Sequence, residues 1–148
     1  MSVISSYRTK IRLSPDRLVD GAIDPTWRLM REAIDVTAQE LGGRVTDHIQ
    51  DAFGREARCP FAVVSPGFPR GVGVRVGPGG DVTFAYDPYD EKGRGYKRIA
   101  GEIAERIAQN YTALAVAKAL GEMNYSVEID EAREGSAGPR AVVVRGSI

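Results

Sequence analysis

The chain is short of the residues that build most recognisable sites. It has one cysteine, Cys59, and one histidine, His48. A lone cysteine excludes an intrachain disulfide, and one His beside one Cys is too few for a His/Cys zinc site. Net charge is absent as well. Lys plus Arg number 20 and Asp plus Glu number 20, which argues against the basic footprint of a non-specific nucleic-acid binder and against a polyacidic tail. The balance does not hide two opposed halves, because residues 1–58 carry nine basic and nine acidic side chains and residues 59–148 carry eleven of each. Long apolar runs are missing too. The uncharged stretch from Ala108 to Ala117 contains Gln109, Asn110 and Thr112 and is far short of the roughly 20 apolar residues of a membrane span. The opening residues lack the basic and apolar regions of a signal peptide. With a free thiol, this leads to the expectation of a cytoplasmic protein.

What is present reads as one ordinary domain. At 148 residues and 43% hydrophobic content, one core is the economical arrangement. Tyr7, Thr9, Ile11 and Leu13 alternate with charged residues, the period of a half-buried strand. Ser14-Pro15-Asp16 predicts an N-cap and a short helical turn to about Val19. Asp24-Pro25 repeats the signal ahead of Trp27, Met30, Ile34, Ala38 and Leu41, an apolar stripe at helical spacing. Gly42-Gly43 closes that helix, and a short strand is expected over Val45 to Ile49. Strands follow at Phe61 to Val64, Val72 to Val76 and Val82 to Tyr86, with Gly77-Pro78-Gly79-Gly80-Asp81 between the last two as a hairpin turn.

A long helix from Tyr96 to Leu120 follows, with Ile99, Ile103, Ile107, Tyr111 and Leu114 as its stripe. It ends at Gly121 or over Glu122–Asn124. Alternation over Tyr125 to Ile129, a polar loop from Glu131 to Pro139 and a closing strand over Arg140 to Arg145 complete the chain. The order predicts a single α+β domain, with an antiparallel sheet and two main helices on one face. Leu41-Gly42 and Leu120-Gly121, each ahead of a strand, raise an internal β-α-β-β duplication. The second sheet face is expected to carry Gly71, Gly73, Thr83, Ala85 and Ser126, small side chains that suit a close-packed partner or self-association.

Candidate chemistry is sparse. His48 and Cys59 alone sketch a base and a nucleophile, but no third group orients them, and Cys59 before Pro60 reads as a packed side chain. The glycines at 71, 73, 77, 79 and 80 sit within a hairpin. A phosphate loop instead runs from a strand into a helix N-terminus. No cofactor, metal or nucleotide loop is expected. Lys92, Arg94, Lys97 and Arg98 place four cations within seven residues at a helix start, where the macrodipole opposes positive charge. They make phosphate, nucleic acid or an acidic partner the functional reading, against a solvated loop balanced by Asp87, Asp90 and Glu91; the zero net charge disfavours nucleic acid. Tyr86, Tyr96, Tyr111 and Arg98 would serve an alternative, a small-ligand pocket or small enzyme site between sheet and long helix.

Two parts of the chain carry a family likeness. Ser5-Ser6-Tyr7-Arg8-Thr9-Lys10-Ile11 resembles an opening strand, and Gln109-Asn110-Tyr111-Thr112, Val116-Ala117-Lys118, Gly121 and Asn124-Tyr125-Ser126-Val127-Glu128 resemble a closing helix and strand. The family is the one called hypothetical chloroplast reading frame 35, a domain of unknown function found in bacteria, cyanobacteria and some plastids. Its Trp-containing motif ahead of the last long helix has no counterpart in Asp87 to Tyr96. The resemblance implies no enzyme activity. It implies a neighbouring AAA+ ATPase as partner, and so an adaptor or regulatory protein.

Overall fold

A computed structural model describes residues 4–133 and 140–148. Five strands form one antiparallel sheet: β1 (Ser5–Arg12), β4 (Arg44–Gln50), β5 (Glu56–Ser65), β6 (Phe68–Val76) and β7 (Asp81–Tyr86). Their order is β1-β7-β6-β5-β4. Strands β4 to β7 run as a meander, and β1 closes the sheet against β7, pairing Tyr7 with Phe84. Both β1 and β4 are therefore edges. Helix α1 (Pro25–Glu40) links the two edges, and α2 (Tyr96–Glu122) follows β7. Both helices join one core with the sheet, which makes the chain an α+β domain. Trp27, Met30 and Ile34 from α1 meet Ile103, Ile107 and Tyr111 from α2 above Phe61, Val63, Val74 and Phe84. Full burial of each large apolar side chain contributes roughly 1.5–3 kcal/mol.

The helices begin and end as their sequences direct. The Asp24 carboxylate accepts the Thr26 amide at 2.8 Å and caps α1, with Pro25 in the first turn. Glycine in the left-handed region at Gly42 (φ 65°) closes it. Helix α2 runs through Gly121, and Asn124 (φ 66°) supplies the left-handed residue beyond its end. Between the helices, the buried Asn110 amide donates to Thr37 Oγ1 at 2.9 Å and Glu40 Oε1 at 2.6 Å. Arg106 reaches the other Glu40 oxygen at 3.4 Å.

Three local expectations are corrected. Residues 14–19 form no helical turn. Ser14 Oγ does accept the Asp16 amide, but the chain then makes a small hairpin of β2 (Leu18–Val19) and β3 (Ala22–Ile23). Asp20 (φ 52°) and Gly21 (φ 78°) are its turn, an Asp-Gly pair of the kind that favours two-residue hairpins. Strands β8 (Ser126–Arg133) and β9 (Arg140–Ser147) form their own two-stranded ribbon. Ser126 therefore lies outside the main sheet and not on its second face. The ribbon packs on the end of α2, where a side chain at Gly146 would meet Leu120 at 3.1 Å. The expected Glu131–Pro139 loop is strand through Arg133, and its remainder lies outside the described residues. The hairpin after α1 completes the main sheet, whereas the one after α2 stands apart. The two stretches thus occupy different surroundings.

The helix-free sheet face is small and closely filled. Thr46 stands opposite Ala62 but His48 opposite Arg58, so β5 carries extra residues. That bulge sends Phe61 and Val63 to the helices and Cys59 and Ala62 to the other face, where they join Ile49 and Ala85.

Candidate functional site

The cationic segment is held by a frame of buried and half-buried polar groups. The Asp87 carboxylate, fully buried, accepts the amides of Ala52 and Tyr89, both at 2.9 Å. It thereby ties the β4–β5 turn to the loop that leads into α2. Arg70 donates to the carbonyls of Asp87 (3.1 Å) and Tyr89 and lies 4.8 Å from the Tyr96 ring centroid. The Tyr96 ring packs edge-on against Phe68, and its hydroxyl accepts from Arg94 at 3.1 Å. At the rim, Phe53 stacks on Tyr89, and the Arg55 guanidinium lies 5.8 Å from the Phe53 ring centroid. Arg70 and this stack are contributions that sequence reasoning missed, since their partners lie in other strands and loops.

Asp90 resolves the apparent conflict between cations and helix dipole. Its Oδ2 accepts the amides of Gly95 at 2.7 Å and Tyr96 at 3.2 Å. The backbone amide of Arg94 foremost, then those of Tyr96 and Gly95, holds the Asp90 carboxyl below its ordinary range against opposing desolvation. An anion of the chain's own therefore sits at the first turn of α2, as the dipole favours. Lys92, Arg94, Lys97 and Arg98 are all exposed around it. Arg98 pairs with Glu102 at 3.0 Å and Arg94 leans on Tyr96. What this segment offers a partner is a cluster of side-chain charges.

Gly71 and Gly73 lie elsewhere in the design. Both are buried. Gly71 (φ 89°) sits in the β6 bulge, where a Cβ would meet Val64 at 3.2 Å. A Cβ at Gly73 would stand 2.5 Å from Cys59 Sγ and 3.1 Å from Ile49 Cγ2. The chain's own side chains thus fill the space above Gly73 on the helix-free face, while Lys92 to Arg98 open the helix that covers the other face. Burial pushes the Cys59 thiol up against the opposing pull of Arg75. His48 is engaged by Asp47 at 2.9 Å and Glu56 at 3.6 Å, so its polar contacts are with carboxylates and not with the thiol.

Among the described residues, open concavities run between β1 and α2. One, of about 660 Å³, brings Tyr86 together with Lys97 and Arg98 beside Tyr7 and Glu105. The other, of about 690 Å³, lies between Tyr7–Arg12 and the α2 stripe that includes Tyr111, Ala115 and Val116. Of the side chains expected around a pocket, Tyr86 and Arg98 meet in the first and Tyr111 lines the second. Tyr96 lines neither and is core. Among the described residues, no group of three His, Cys, Asp or Glu is placed to hold a metal ion, and no helix is long and apolar enough to cross a membrane. No family model, no curated protein and no solved structure matches the chain.

Proposed function

We propose that the chain is an adaptor or regulatory partner protein with no chemistry of its own. Its contact with an acidic protein surface is made through Lys92, Arg94, Lys97 and Arg98. The observation that carries this reading is the Asp90 cap. It occupies the first amides of α2, the groups that would otherwise cradle a phosphate, and leaves the four cations facing outward. Such charges tune encounter rate and partner choice more than affinity. Carboxylates flank them, Asp90 and Glu91 before and Glu102 and Glu105 after, which argues against nucleic acid, whose backbone rewards an extended positive surface. The resemblance to the chloroplast reading-frame family supports an AAA+ ATPase as the machine served. The free thiol suits a reducing cytoplasm.

Replacing Lys92, Arg94, Lys97 and Arg98 together with Gln weakens capture of partners from the producing cells, and the wild-type capture falls as salt rises. If the quadruple variant captures every partner as well as the wild type does, the cluster is a solvated loop. Turnover of a small molecule by the purified chain alone would favour the second reading, a small-ligand site or enzyme. That reading is supported by the meeting of Tyr86, Lys97 and Arg98 in one concavity.

A further inference from the structure

The first strand combines an open edge, an apolar groove and a row of charge. β1 bonds to β7 on one side and carries no strand on the other among the described residues. Along that free edge runs the larger groove, walled by Tyr7–Arg12 and by Ala108, Tyr111, Ala115, Val116 and Ala119 of α2. From Ala108 to Ala119 the helix rises eleven steps, about 16 Å at 1.5 Å per residue. That length matches about five residues of extended chain. Val116 is 42% exposed at the groove.

The two faces of β1 differ in character. Tyr7, opposite Phe84, packs with the helix-side core, as does Ile11. Arg8 stands opposite Thr83 and Arg12 opposite Asp81, on the helix-free side, with a bulge between them that holds Lys10, and Arg8, Lys10 and Arg12 are all exposed. Arg8 and Lys10 make no ion pair among the described residues, and Arg12 reaches only the Gly79 carbonyl at 3.4 Å. A strand added at this edge would alternate in the same way. Every second side chain would enter the apolar groove under α2, and the others would lie beside Arg8 and Lys10.

We infer that the free edge of β1 binds an extended segment of a partner protein as a sixth strand, its residues alternating between apolar and Asp or Glu. The inference rests on the adaptor reading and gives the partner's chemistry. Charge decides the occupant. A second copy of β1 would set cation against cation, which opposes pairing, whereas carboxylates at those positions meet unpaired Arg8 and Lys10.

The probe is a fluorescein-labelled ten-residue peptide of alternating Val and Glu, titrated into the full chain and followed by fluorescence anisotropy. Two controls accompany it, one with alternating Val and Lys and one with five Val followed by five Glu. The alternating Val–Glu peptide binds, and the Val–Lys peptide binds about tenfold more weakly, the size expected when two exposed charge attractions become repulsions. The double variant R8E/K10E, its fold checked by circular dichroism, reverses that order. Amide shifts in the nuclear magnetic resonance spectrum move along Ser5–Ile11 and stay still along Arg44–Gln50, the opposite edge. Equal binding of the alternating and block peptides, an unchanged order in R8E/K10E, shifts confined to the opposite edge, or no binding of any peptide overturns the inference. If it fails while the quadruple Gln variant still loses its partners, the adaptor reading stands and the acidic partner docks at Lys92–Arg98 alone.

Discussion

Replacing Gly73 with Ala tests whether the helix-free face is bare or filled. The backbone at Gly73 is ordinary strand, so Ala brings no conformational strain and even gains about 0.4–1 kcal/mol by restricting the unfolded chain. Packing opposes this. The new methyl would stand 2.5 Å from Cys59 Sγ and 3.1 Å from both Cys59 Cβ and Ile49 Cγ2, where contacting carbons prefer about 3.5–4.0 Å. The thiol has one side-chain rotation by which to escape, and Ala62 and Ala85 on that face are fully buried. Overpacking of this kind costs about 1–3 kcal/mol, which outweighs the backbone gain. The balance, about 0.3–2.3 kcal/mol, lowers Tm by about 1–9 °C in a chain of this size. The cost depends on the sulfur, so Gly73→Ala made in a Cys59→Ala background should cost at least about 1 kcal/mol less. Urea titrations of the four proteins, followed by circular dichroism and Trp27 fluorescence, complete the double-mutant cycle. Equal costs in the two backgrounds, or a neutral Gly73→Ala, would refute the reasoning and return Gly73 to the role of an open docking face.

Asn110→Ala removes two hydrogen bonds between the helices, one to Thr37 and one to the Glu40 carboxylate. The expected loss is about 2–4 kcal/mol in urea unfolding, and a loss below about 0.5 kcal/mol would show that the network is incidental. Asp90 sets a pH dependence. Its carboxyl is held low in the fold by the Arg94, Tyr96 and Gly95 amides, so its contribution is present above the ordinary carboxylate value and is lost as pH falls through the folded one. Asp90→Asn should therefore lose less Tm than the wild type between about pH 6 and pH 3; an identical loss would contradict the cap.

Periodicity is a local property, and it carried what depends on neighbours along the chain. The stripes from Trp27 to Leu41 and from Tyr96 to Leu114 specify two helices, each with one apolar face. Gly77-Pro78-Gly79-Gly80 specifies the β6–β7 hairpin, since few other residues accept its turn geometry. Alternation likewise marked a strand over Tyr125 to Ile129, and the apolar run over Arg140 to Arg145 a second, both shorter than the strands the structure forms. It could not say where they pair, because strand partnership is decided by long-range packing. Here the end of α2 carries them away from the sheet.

The same division runs through the candidate site. Four cations at 92–98 are plain in the sequence, but that Asp90 folds back onto the Gly95 and Tyr96 amides follows only from the path of the loop, held by Asp87 and Arg70. The missing side chain at Gly73 is equally plain. Its filling by Cys59 depends on the β5 bulge, which turns the thiol to a face that strict alternation would have denied it. The cations at Arg8, Lys10 and Arg12 could be counted from the start. That they line a free edge follows from strand order, which the sequence leaves open because β7, seventy residues away, must first take the other side of β1.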